Sequence, residues 1–129
     1  LEADLKQILA RDPDNAHALN ALGYTLADRT TRFQEALEYI QRALELAPEE
    51  AAIVDSMGWV QYRLGNLDEA LEYLRRAWEM NQDAEIAAHY GEVLWVAGRR
   101  DEARRIWAAG RDKDADNHVL RETLQRFNP

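Results

Sequence analysis

The sequence predicts an all-α protein, a right-handed solenoid of antiparallel helix hairpins, on three observations. The first is a period. Gly23, Gly58 and Gly91 stand 35 and then 33 residues apart, inside the similar stretches "ALGYTLADRT", "SMGWVQYRLG" and "HYGEVLWVAG"; repeats of roughly 20 to 50 residues mark stacked arrays. The second is phase. Ala36, Ala70 and Ala103 stand third in the runs "QEAL", "DEAL" and "DEAR" at spacings of 34 and 33, and a further small residue follows each by seven, at Ala43, Ala77 and Gly110. Small residues facing each other let two antiparallel helices approach closely, with Leu, Ile, Trp and Tyr filling the space on either side. The third is composition. Ala, Leu, Glu and Arg favour helix, Pro occurs only at 13, 48 and 129, and no run of four β-branched residues suggests a strand.

The elements follow in order. Residues 1–15, "LEADLKQILARDPDN", read as the second helix of a truncated preceding repeat, with Leu1, Leu5 and Ile8 in packing places and Pro13 at its exit. Residues 16–50, 51–83 and 84–117 are the three full hairpins, joined because one hairpin cannot bury its apolar face alone. Residues 118–129 place Val119, Leu120, Leu124 and Phe127 on one face, as a C-terminal capping helix or the opening helix of a further repeat does. A start in mid-repeat implies a piece of a longer array, with an apolar face on the first helix open to self-association.

These residues resemble the tetratricopeptide repeat, or TPR, whose 34-residue pattern carries Leu-Gly in the first helix, Ala early in the second, a large apolar residue, a second Ala and an exit Pro. The first hairpin matches at Leu22-Gly23, Ala36, Ile40, Ala43 and Pro48, with one extra residue near Thr30 and Thr31. The second matches at Met57-Gly58, Gly65, Ala70, Leu74 and Ala77, with Gln82 in the Pro place. The third matches at Tyr90-Gly91, Gly98, Ala103, Trp107 and Gly110, with Ala115 there.

Charge and chemistry narrow the function. A formal net charge of −8 argues against nucleic acid, which needs Lys and Arg to neutralise phosphates. Without Cys there is no disulfide, thiolate metal site or Cys nucleophile. His17, His89 and His118 fall in three helices with no second ligand one turn away, so neither metal nor cofactor is expected. No nucleophile elbow, P-loop or dinucleotide fingerprint is present, and no catalytic residue is assigned. "GRRDEARRIWAAGRDK", residues 98–113, holds six basic and three acidic residues. It reads either as a solvated face, Asp101 and Glu102 pairing with Arg104 and Arg105, or as a docking patch for an acidic partner.

Function is therefore sought on a surface. The resemblance implies that the first helices line a concave groove, with side chains one turn either side of the small Gly position pointing into it. Carried over by position, the groove residues are Tyr24 and Asp28 in the first repeat, Asp55, Trp59, Tyr62 and Arg63 in the second, and Glu92 and Trp95 in the third. Aromatics are good anchors, although Tyr24, Trp59 and Trp95 could equally be core; Trp78 and Trp107 are assigned to the core outright. A cationic clamp for a terminal carboxylate is absent, and Asp28, Asp55 and Glu92 are expected to repel one unless Arg63 compensates.

At a finer level, "NALGYTLADRT" and "DSMGWVQYRLGNLDEAL" resemble the C-terminal repeats of Gram-negative TPR lipoproteins that partner carboxyl-terminal processing proteases. That resemblance implies a parent anchored by lipid to the periplasmic face of the outer membrane, holding a serine protease and bringing it cell-wall hydrolases. The functions rank as protein-binding adaptor, then structural or self-assembly segment of the array, then enzyme.

Overall fold

The structure, a computed structural model, describes residues 1–129 as eight helices and no strand. They are α1 (Glu2–Arg11), α2 (Ala16–Arg29), α3 (Phe33–Leu46), α4 (Ala51–Arg63), α5 (Leu67–Met80), α6 (Ala84–Val96), α7 (Arg100–Lys113) and α8 (His118–Phe127). α2 pairs with α3, α4 with α5 and α6 with α7, and each hairpin stacks on the next. This is the expected all-α solenoid.

Local chemistry sets the helix ends. Asn15, Asp83 and Asn117 cap α2, α6 and α8, each side chain accepting from the backbone N–H three residues on, at 3.0, 2.8 and 3.0 Å. α4 and α6 close through Gly65 and Gly98 at φ of 89° and 87°, a left-handed conformation that costs glycine no side-chain clash. α2 has no such glycine. There the Thr30 hydroxyl takes the Leu26 carbonyl and accepts from the Arg32 N–H, which accommodates the extra residue of that turn.

Close approach explains the small residues. A Cβ on Gly23 would stand 2.5 Å from Ile40 Cγ1, one on Gly58 2.6 Å from Leu74 Cγ, and one on Gly91 2.1 Å from Trp107 Nε1. Ala36, Ala70, Ala103, Ala43 and Ala77 are fully buried. Trp107 is buried as well, and its indole N–H donates to the Ala88 carbonyl at 3.3 Å, so the widest side chain of the core is fixed at both ends. Trp78 is only partly buried, at the edge of the same core.

The outer helices correct two details. α1 packs through Leu5 and Leu9, whereas Leu1 and Ile8 are 69% and 45% exposed. A helix with one neighbour buries one narrow stripe, and Leu9 shares that stripe with Leu5 where Ile8 does not. α8 buries Leu120 and Thr123, and rests Val119, Leu124 and Phe127 against the last hairpin.

Candidate protein-interaction groove

The four parallel helices α2, α4, α6 and α8 line a concave cavity of about 550 Å³. Counting from each helix's N-cap, the ninth residues are Tyr24, Trp59, Glu92 and Arg126, and all four line it. Asp28 and Arg63, one turn further along α2 and α4, line it too. A spacing of four keeps both on one helix face.

Two polar relays tie the floor of this groove together. In the first, both Asp55 carboxylate oxygens lie 2.9 Å from His89 Nδ1, and His89 Nε2 lies 3.0 Å from the Tyr24 hydroxyl. The relay joins α4, α6 and α2, and Trp59 lies over the imidazole with ring centres 4.4 Å apart. In the second, the Tyr62 hydroxyl donates to Glu92 Oε2 at 3.0 Å and Arg126 donates to Glu92 Oε1 at 2.8 Å, joining α4, α6 and α8. Arg63 adds a third cross-helix link: its Nε donates to the Ala27 carbonyl at 3.0 Å and its guanidinium covers the Phe33 ring at 5.1 Å.

Electrostatics follow from these partners. Burial works against charge on His89, but the attraction and hydrogen bond of Asp55, helped by Glu85 and Asp28, hold its proton affinity above the ordinary imidazole value. Burial, with the charges of Asp28, Glu85 and Asp55, pushes the Tyr24 phenol well above its usual range. Burial and Glu92 do the same to Tyr62. An Asp–His–hydroxyl series is the order used in nucleophilic catalysis. Here the series ties α2, α4 and α6 together, and its Tyr24 and His89 form part of the groove wall.

The structure redistributes the sequence-predicted residues. Tyr24, Asp28, Trp59, Arg63 and Glu92 line the cavity. Asp55 stands behind His89 and is buried, and Tyr62 is turned from the opening onto Glu92. Trp95 lies elsewhere, packed on Trp107 and Phe127 at 5.6 and 6.1 Å, with Arg100 and Arg104 over its ring. Tyr62 and Trp95 are both the twelfth residue after their caps, and each turns toward the next first helix of the stack, Tyr62 onto Glu92 of α6 and Trp95 onto Phe127 of α8. Trp59 proves to be both core and groove, 4% exposed yet part of the cavity wall.

The predicted repulsion of a carboxylate is also revised. Asp55 is consumed by His89 and Glu92 by Arg126 and Tyr62, which leaves Asp28 as the free member of the three acids. His89, Thr123 and Arg126 were missed as wall residues. A signal for two of them was present: Asp55 and His89, and Glu92 and Arg126, are both separated by 34 residues, one repeat. Asp101 pairs with Arg104 as expected, but Glu102 pairs with Arg99.

Comparison with known proteins completes the site. Two family models, both described as tetratricopeptide repeat, match residues 14–83 and 61–126. A TPR repeat-containing protein of Pseudomonas aeruginosa is 56% identical over 127 residues, covering 98% of this chain and 22% of its own length. The chain thus spans about a fifth of that relative. Among solved structures, a thermophilic TPR protein of Thermus thermophilus superposes with a TM-score of 0.79 at 23% identity, covering 99% of this chain and 72% of that one. The pilF protein of Pseudomonas aeruginosa superposes at 0.70 with 21% identity, covering 98% and 60%. MamA does so at 0.70 with 20% identity, covering 98% and 77%. At these identities the structures speak for the fold alone.

Proposed function

Because the chain belongs to the tetratricopeptide repeat family, a family of protein-interaction scaffolds, we propose that its concave groove holds a segment of a partner protein and that the parent protein is an adaptor. The observation that carries this is the groove itself: about 550 Å³, floored by Tyr24 and Trp59 and fixed by two relays crossing four helices. A rigid aromatic floor binds at low entropic cost because little of it must be ordered on contact.

In the finer form of the proposal the partner is a carboxyl-terminal processing protease, to which the adaptor brings cell-wall hydrolases. The parent would then be a lipoprotein on the periplasmic face of the outer membrane. What supports this is the wording of "NALGYTLADRT" and "DSMGWVQYRLGNLDEAL". No enzyme family is indicated for the chain.

The test is direct binding of the purified protease to the immobilised chain and to an Asp28→Arg/Arg63→Glu variant. Both substitutions sit on exposed groove positions. The proposal expects binding to the chain and a loss of at least about tenfold in the variant. A protease that binds neither protein sinks the adaptor reading, and one that binds both equally moves the contact off the groove.

A second reading rests on Ile8, which α1 leaves 45% exposed, whereas the exposed Leu1 before it lines the concave cavity. Under it, the face of α1 that carries Ile8 pairs with a second chain. Sedimentation equilibrium over a wide concentration range tests it, and a constant monomer mass rejects it.

A further inference from the structure

The second helices carry a stripe whose chemistry changes at the end of the stack. α3, α5 and α7 follow caps Arg32, Asn66 and Arg99. The first, fifth and twelfth residues after the cap are Phe33, Leu37 and Leu44 in α3, and Leu67, Leu71 and Trp78 in α5. All six are partly buried, and in each helix the stripe meets the following hairpin: Leu37 and Leu44 pack against the cluster of Met57 and Val60, and Leu67, Leu71 and Trp78 against that of Val93 and Trp107. In α7 the same three places are Arg100, Arg104 and Arg111, all exposed.

α8 makes the matching change. The fourth and eighth residues after the cap of a first helix are Leu19 and Gly23, Val54 and Gly58, and Ala87 and Gly91, all buried. In α8 they are Arg121 and Gln125, both exposed. Within the stack these paired surfaces receive a helix. α4 takes α5, with Leu44 of α3 and Tyr73 of α5 against one cluster, and α6 takes α7. The corresponding places on α7 and α8 carry four arginines.

These arginines are available. Arg104 pairs with Asp101, while Arg100, Arg111 and Arg121 enter no ion pair. Arg100 and Arg104 lie over Trp95 at 4.5 and 5.1 Å from the ring centre, which helps to order their guanidinium groups. On a chain of net charge −8 this is a local reversal of sign. Gln125 in the glycine place holds any occupant further off than α5 or α7 sits. Contact must then be made by long side chains through ion pairs, where the inner repeats interdigitate apolar ones.

We propose that the outer face of α7 and α8 is a docking surface for an acidic α-helix of a partner protein, bound through Arg100, Arg104, Arg111 and Arg121. The inner repeats supply the shape, a trough that takes a helix, and the arginines supply the charge. An anionic membrane fits less well, because Trp95 is covered by guanidinium groups and is not free to enter a bilayer. This surface lies apart from the groove and stands or falls independently of it.

The experiment titrates the chain against a fluorescein-labelled, alanine-based helical peptide with Glu along one face, and against its Gln twin, by anisotropy. The Glu peptide is expected to bind at least about tenfold more tightly than the twin, and to weaken as salt rises from about 0.05 to 0.3 M. Arg100→Gln/Arg104→Gln should lower affinity by a similar factor. So should Arg111→Gln/Arg121→Gln, a pair that touches no aromatic ring, while the groove variant Asp28→Arg/Arg63→Glu leaves it unchanged. Equal binding of the two peptides, undiminished binding to both arginine variants, or no binding of the Glu peptide overturns the proposal. Capture by vesicles rich in phosphatidylglycerol, lost in the same variants while the Glu peptide stays unbound, overturns it in favour of a lipid surface.

Discussion

His89 sits between Asp55 on one ring nitrogen and Tyr24 on the other, and its raised proton affinity makes stability depend on pH. For a raised folded value, the stabilisation is complete below the unfolded imidazole value, about 6.5, and fades as pH rises through the folded one. Comparing the chain with an Asp55→Asn/His89→Gln variant by urea unfolding should show a larger advantage for the chain at about pH 6 than at about pH 8.5. A constant difference would mean that the imidazole does not change charge in that window. Gly91→Ala tests the core at the same scale. Its new methyl would meet Trp107, which is buried and tethered to Ala88, so about 1–3 kcal/mol should be lost, read by the same unfolding. The glycines were legible in sequence because steric contact repeats with the fold. His89 was not, because its partners Asp55 and Tyr24 lie 34 and 65 residues away and declare themselves only when successive repeats are laid side by side.

Helix ends and helix faces were read with unequal success. The caps Asn15, Asp83 and Asn117 and the stops Gly65 and Gly98 are local chemistry, set by residues within a turn or so of the boundary. Asp83→Ala should therefore cost about 1 kcal/mol through the lost bond to the Ile86 N–H. Gly98→Ala should cost a similar amount, about 1 kcal/mol, because φ stays near 87° with open space around it. Thermal unfolding of both variants checks these values. Faces are harder. Trp95 was placed in the groove from its spacing to Gly91, but it is the twelfth residue of its helix and faces the last helices instead. Aromatic character told that the residue would be buried against something, and only the phase of the helix told against what. In the same way Ile8 was exchanged for Leu9, one position along α1.

The whole molecule is a line of neighbours, so its stability should vary along the line. α6 buries ten residues among the preceding hairpin, α7 and α8, α1 buries none, and α8 buries Leu120 and Thr123. Native-state hydrogen exchange should find the greatest protection in α4 and α6, and the least in α1 and α8. Uniform protection along the chain would mean that it unfolds as one cooperative block. Leu120→Ala, which opens a cavity beside Trp107, should release α8 first and lower its protection well before that of α4.

The two relays have a mechanical meaning as well. A coil of stacked hairpins is a spring, and the Asp55–His89–Tyr24 and Tyr62–Glu92–Arg126 links lie on its inner rim, where uncoiling stretches and tightening compresses. Hydrogen bonds near 3 Å tolerate neither. The links act as ties of fixed length, so a load pulling the ends apart should be met by stiff resistance followed by the release of whole hairpins in steps. A partner seated in the groove would then feel a surface of constant curvature until the moment it gave way.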